Sequence, residues 1–179
     1  MDMSRDFPDW IDAERAAQAG REFAGDARIE WMPRVADLLD TPVADDVIAF
    51  EVSASLDESP GNAHIVRLRV HVHGAVPMTC QRTLVRFMQP IDSRSEVAVV
   101  ASEHEIEGLP ENLEPKLVPE GRLKLVELIE DELLLALPLV PKDPASAPIE
   151  NAGDIFERAE PDENDNPFAK LERLLGNDD

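Results

Sequence analysis

Three groups of side chains in this 179-residue chain have types and spacings that chemistry could use. His71 and His73 share one face of an alternating segment, and Cys80 follows closely. Imidazole and thiolate are zinc ligands, but a zinc site wants further ligands at defined spacing, and Thr83 stands where a C-x-x-C pair would place its second cysteine. Two surface histidines and one buried thiol account for this pattern, so no metal and no cofactor are expected. The second group is the acidic triplet Glu130-Asp131-Glu132. On a helix, successive residues diverge by about 100°, so the three carboxylates do not converge on one substrate atom. The triplet reads as a solvated helix face or as an acidic docking face. No G-x-S-x-G, P-loop, G-x-G-x-x-G or H-E-x-x-H pattern occurs, and no catalytic residue is expected.

The third group is basic. Between His64 and Arg94 lie Arg67, Arg69, Arg82, Arg86 and Arg94 against the single acid Asp92, a local +4 within a chain of net charge −21. Arg67, Arg69, His71 and His73 line one strand face at intervals of about 6.5–7 Å, comparable to phosphate spacing along a nucleic-acid strand. Arg67, Arg69, Arg82 and Arg86 are therefore the candidates for RNA contact. No aromatic residue interleaves with them for base stacking, and the chain's own acids would neutralise the stripe equally well.

These residues need elements to hold them. Residues 11–20 read as a helix stopped at Gly20, residues 21–31 as a short strand, and residues 32–39 as one or two helical turns ended by Thr41-Pro42. A two-residue period from Asp46 to about Ser55 predicts a strand, and residues 57–62 a turn. His64–His73 alternates most sharply, with Val66, Leu68, Val70 and Val72 on one side. Gly74 and Pro77 mark a bulge or an edge before Cys80. Leu84–Met88, Glu96–Ala101 and Pro115–Val118 are further strands. Gly121 opens the best helix, on which Leu123, Val126, Ile129, Leu133 and Leu137 form an apolar stripe; Lys124, Glu127, Glu130 and Asp131 form the polar one. Pro138 and Pro141 stop it. Strands in succession followed by a helix predict an α+β fold, an antiparallel sheet with flanking helices.

Residues 1–141 are thus expected to form a single domain, and residues 142–179 a flexible acidic tail. Within that tail Asn166-Pro167 caps a short amphipathic helix over 167–175, with Phe168, Leu171 and Leu174 on one face. Candidate partner-docking residues are Glu127, Glu130 and Asp131 on the long helix, with Phe168, Leu171 and Leu174 on the tail helix. Acids outnumber bases 38 to 17, which argues against bulk electrostatic binding of nucleic acid or anionic lipid. A single cysteine allows no internal disulfide. The longest apolar run, Leu133–Val140, is eight residues and contains Pro138, and the amino terminus has no apolar signal core. A cytoplasmic protein is expected.

Three passages resemble one family. Cys80-Gln81-Arg82 precedes an apolar-basic strand. Leu109-Pro-Glu-Asn-Leu-Glu-Pro115 runs on to Leu128-Ile-Glu-Asp-Glu-Leu-Leu-Leu-Ala-Leu-Pro-Leu-Val-Pro141, and Asn166-Pro-Phe-Ala-Lys-Leu171 follows. In this order they resemble the YceD family, the bacterial large ribosomal RNA subunit accumulation proteins. The resemblance implies a non-enzymatic ribosome biogenesis factor needed for accumulation of 23S rRNA and assembly of the large subunit. Many family members carry Cys-x-x-Cys at the first passage and a later His or Cys. Here Thr83 and Lys142 occupy those places, so this chain is expected to fold without metal. Two mechanisms fit the charge. An arginine-lined sheet face contacts 23S rRNA locally, or the acidic helix and tail hold a basic large-subunit ribosomal protein or pre-50S particle. The second agrees better with −21. An adaptor for an rRNA processing or transcription complex is a further alternative.

Overall fold

A computed structural model describes residues 6–41, 45–57, 65–110 and 113–146. The chain divides into two compact units, Met1–Asp143 and Pro144–Asp179. The expected helix over 167–175, with Phe168, Leu171 and Leu174, lies outside the described residues, as does most of the turn at 57–62.

The first unit is α+β. Strand β1 (Trp10–Asp12) leads into helix α1 (Ala13–Gln18), strand β2 (Glu22–Arg28), a 3-10 turn (Ile29–Trp31) and helix α2 (Pro33–Ala36). Strands β3 (Val47–Asp57), β4 (Ile65–Thr79) and β5 (Arg86–Val100) follow, then helix α3 (Glu103–Ile106). Strands β6 (Glu114–Leu117) and β7 (Arg122–Lys124) precede helix α4 (Leu125–Ala136). The main sheet has the order β2-β3-β4-β5-β6, antiparallel except for the parallel pair β5–β6. A two-stranded ribbon, β1–β7, brings the starts of α1 and α4 together, so Lys124 ends a strand where the sequence pattern had already begun the helix. Asp12 caps α1 by accepting from the Arg15 amide at 2.9 Å.

Strand parity decides which face is wet. Phe50, Val52 and Ala54 on β3 stand opposite Val72, Val70 and Leu68 on β4, all buried. They join Ala13, Ala16 and Ala17 of α1 and Leu125, Leu128, Ile129 and Leu133 of α4 in one core. Burying a side chain such as Leu68 or Phe50 contributes about 1.5–3 kcal/mol. The odd-numbered residues of β3 and β4 therefore face away from the core and line the other face of the sheet.

One expectation needs correction and one is narrowed. Leu84–Met88 and Glu96–Ala101 are not separate strands but lie along one, β5, whose middle is Ser93-Arg94-Ser95. The polar residues hid the alternation because Ser93 and Ser95 point to the core side, where Glu132 of α4 meets them. Of the bulge or edge expected at Gly74 and Pro77, the edge is present and the bulge is not: β4 and β5 keep one register from Val66↔Val99 to Thr79↔Arg86, while the pairing with β3 ends at His73. Beyond His73, β4 has outrun β3, so Pro77 needs no amide donor on that side, and its carbonyl instead accepts from the Asp40 amide at 3.0 Å. Gly74 has φ +147, and a Cβ there would meet Ile48 Cδ1 at 2.9 Å, which is why the position is glycine.

Candidate functional site: the open sheet face and the acidic edge

The alternation that placed Arg67, Arg69, His71 and His73 on one face is present in β4. Their neighbours are carboxylates brought by register. Glu96 of β5 stands opposite Arg69; it accepts from Arg67 Nη1 at 2.9 Å and from Arg69 Nε at 2.5 Å. The Arg69 bond, opposed by partial burial and aided by Arg67, holds the Glu96 carboxyl below its ordinary range. His71 Nε2 lies 2.9 Å from Asp92, its Nδ1 lies 3.5 Å from Glu51 Oε2, and the His71 and His73 rings are 4.7 Å apart. Across the strands, Arg28, Arg67, Arg69 and Arg94 share this face with Glu22, Asp26, Glu51, Asp92 and Glu96, so no positive excess is left. The face forms an open trough of about 780 Å³ lined by Glu22, Glu51, Ser53, Arg69, His71 and Arg94.

The other two candidate arginines are elsewhere. Arg86 is exposed and lies on β5 about 30 Å of strand rise from the level of Glu96. Arg82 sits in the turn after Cys80, with Nη2 3.3 Å from the Asp143 carbonyl. That turn is joined to the segment after α4: the Gln81 amide donates to the Pro141 carbonyl at 2.9 Å, and the Asp143 amide to Cys80 Sγ at 3.3 Å. Hydrogen bonds from Thr83 first, then from the Asp143 amide, pull the buried Cys80 thiol down to about 6.

The α4 carboxylates differ from a solvated stripe. Glu130 is buried and reaches 96 residues back to Arg34, accepting from its backbone amide at 2.8 Å and from Nε and Nη2 at 2.9 and 2.8 Å. With the Val35 amide at 3.4 Å, this carboxylate caps α2, whose own cap residue Met32 supplies no side-chain bond. Asp131 accepts from Arg34 at 2.7 Å and also from Lys116. Burial opposes its ionisation, but the Lys116 and Arg34 hydrogen bonds outweigh that and hold Asp131 low, while raising Arg34. Glu132 is buried and accepts from the Ser93 and Ser95 hydroxyls. Glu127 alone of the three helix candidates is exposed, paired with Lys124 at 2.7 Å.

A different set of carboxylates faces solvent. The parallel β5–β6 register ends both strands at the same end of the sheet, and Glu103, Glu105, Glu107 and Glu120 follow there. Glu114 begins β6, the edge strand of the sheet, and all five are exposed. Sequence reading missed this edge because its glutamates are scattered over 18 positions; what gathers them is the pairing of β6 with β5.

The described residues therefore define an α+β scaffold that neutralises its own central cations and displays carboxylates along one edge. The chain belongs to the YceD family: the model of that family, described as large ribosomal RNA subunit accumulation protein YceD, matches residues 68–175. The large ribosomal RNA subunit accumulation protein YceD of Haemophilus influenzae is 28% identical over 172 residues, spanning 94% of this chain and 95% of the relative. No solved structure matches the chain. Among the described residues, no helix is long and apolar enough to cross a membrane.

Proposed function

We propose that this chain is a non-enzymatic factor for accumulation of the large ribosomal RNA, acting by holding a basic large-subunit ribosomal protein or a pre-50S particle on its acidic surface. Family membership supports the pathway. The observation that supports the mode is a contrast in exposure: Arg67 and Arg69 are engaged by Glu96, while Glu103, Glu114 and Glu120 stand in solvent and Glu107 meets only the equally exposed His104 at 3.6 Å. An acidic surface of this kind associates quickly with a cationic protein and releases it as RNA or salt competes.

The test is affinity capture with and without ribonuclease, using the parent chain and a variant with Glu103, Glu105, Glu107, Glu114 and Glu120 changed to Gln. Capture of large-subunit proteins that survives ribonuclease and falls in the variant supports this reading. Equal capture by both chains removes it. A second reading, direct contact with 23S rRNA, rests on Arg69 and Arg94, whose side chains are 59% and 73% exposed in the trough. It requires that Arg69→Gln with Arg94→Gln abolish RNA recovery.

A further inference from the structure

The two histidines lacked further ligands in the sequence; register supplies one. Glu51 of β3 is the direct cross-strand neighbour of His71, and His73 is the next residue on the same face of β4. One donor atom from each of Glu51, His71 and His73 lies within 4.8 Å of the donors of the other two. We propose that Glu51, His71 and His73 form a site for one divalent transition-metal ion of the zinc class, with Asp92 orienting His71 from the opposite side.

The chemistry of the donors fits that class. Two imidazoles and a carboxylate suit zinc, cobalt and nickel better than magnesium or calcium, which take oxygen ligands. A tetrahedral ion with bonds of about 2.0–2.2 Å holds its donors about 3.3–3.5 Å apart. His71 Nδ1 and Glu51 Oε2 are already 3.5 Å apart, so closure asks for movement of no more than about 1.5 Å by the others. Glu51 can make such an adjustment because its side chain is 67% exposed.

Asp92 completes the logic. Its carboxylate is 2.9 Å from His71 Nε2; in the tautomer protonated there, Nε2–H donates a hydrogen bond to the carboxylate and the Nδ1 lone pair is directed at the Glu51 side. This is the carboxylate–histidine–metal arrangement, in which a second carboxylate sets tautomer and ring orientation. Two guanidiniums flank His71 on this face: Arg94, opposite His71 and 4.0 Å from Asp92, and Arg69, the residue before His71 on the same face of β4, which is held by Glu96. Three protein ligands leave the fourth position to water. The site does not depend on which partner the acidic edge takes.

The full chain is titrated with Zn2+ by calorimetry and with Co2+ by visible absorption, in the presence of excess Mg2+. One ion per chain and a tetrahedral Co2+ spectrum are expected. Glu51→Gln and His73→Ala should each weaken Zn2+ binding about tenfold or more, with Asp92→Asn weakening it about 10–100-fold. His104→Ala and Cys80→Ser should leave the affinity unchanged. Circular dichroism checks each variant, and if His71→Ala fails to fold, the exposed position Glu51 decides. Absence of saturable uptake overturns the site. So does uptake that Glu51→Gln and His73→Ala leave unchanged, which would place the ion on the general acidic surface, or uptake lost only in Cys80→Ser.

Discussion

Helix α4 and the α3–β6 edge carry the same kind of residue to opposite ends. On α4, Glu130, Asp131 and Glu132 turn inward or sideways to Arg34, Lys116, Ser93 and Ser95. On the edge, Glu103, Glu107, Glu114 and Glu120 face water. Composition treats both as negative charge. The difference is that the helix carboxylates became parts of the scaffold, joining α4 to α2, to β6 and to the core side of β5, while the edge carboxylates stay in solvent with local contacts at most, Glu107 to the exposed His104 at 3.6 Å and Glu105 to the Ala101 amide and Ser102 hydroxyl. A net charge of −21 is thus not a measure of what a partner meets.

The largest effect is expected at Glu130. Glu130→Ala leaves the Arg34 and Val35 amides without their cap and the guanidinium without a buried partner. Breaking such a pair costs up to about 3–5 kcal/mol when both ions are buried; because Arg34 is half exposed, about 2–3 kcal/mol is expected, read as a lower urea midpoint. An unchanged midpoint would place Glu130 with the solvent-facing carboxylates after all.

Glu132 allows a finer distinction. Glu132→Ala leaves two hydroxyls unsatisfied on the core side and should cost about 1–3 kcal/mol. Changing Glu132 to Leu together with Ser93→Val and Ser95→Val removes all three polar partners and should be close to neutral in the same urea experiment. If the triple variant is as unstable as Glu132→Ala, the network does more than satisfy itself.

Acid should separate the paired carboxylates from the rest. Glu96 and Asp131 titrate lower in the folded chain than their ordinary values of 4.5 and 3.8, so protonation favours unfolding. Their contribution is complete above that range and is lost as pH falls through the lowered folded values. Glu96→Gln should cost about 1 kcal/mol or less at pH 7 and flatten the decline in urea midpoint below about pH 4.5. A parallel decline in parent and variant would show that the Glu96 pairs with Arg67 and Arg69 are not formed in solution.

The smallest effect on stability belongs to the edge. Changing Glu103, Glu107, Glu114 and Glu120 to Gln should shift stability by no more than about 0.5 kcal/mol per position, measured by thermal unfolding, even as partner capture falls. A large loss of stability would make these glutamates structural and end the contrast.

Much of the scaffold was legible in the residues. Alternation through Val66, Leu68, Val70 and Val72 set the inner face of β4, and the apolar recurrence from Val126 to Leu133 set the core side of α4. Where a polar residue faced the core, legibility failed: Ser93 and Ser95 broke β5 into two apparent strands, and Glu130 and Glu132 passed for solvated charge. The arginine face was found at Arg67 and Arg69, but Arg82 and Arg86, near them in sequence, are not beside them in space. Glu51 and Glu96 were invisible as neighbours, since nothing local to either announces a strand partner 20 or 27 residues away.

The parity of the strands, the apolar stripe of α4, the excess of acid and the resemblance to the YceD family can all be read from the residues in order. These depend on local periodicity and composition, which survive without a partner. Which charges are neutralised is set by the folded arrangement. Ion pairing depends on strand register and helix packing, which bring Glu96 to Arg67 and Arg69, Glu130 to Arg34, and Glu51 to the two histidines across stretches of chain that carry no record of one another.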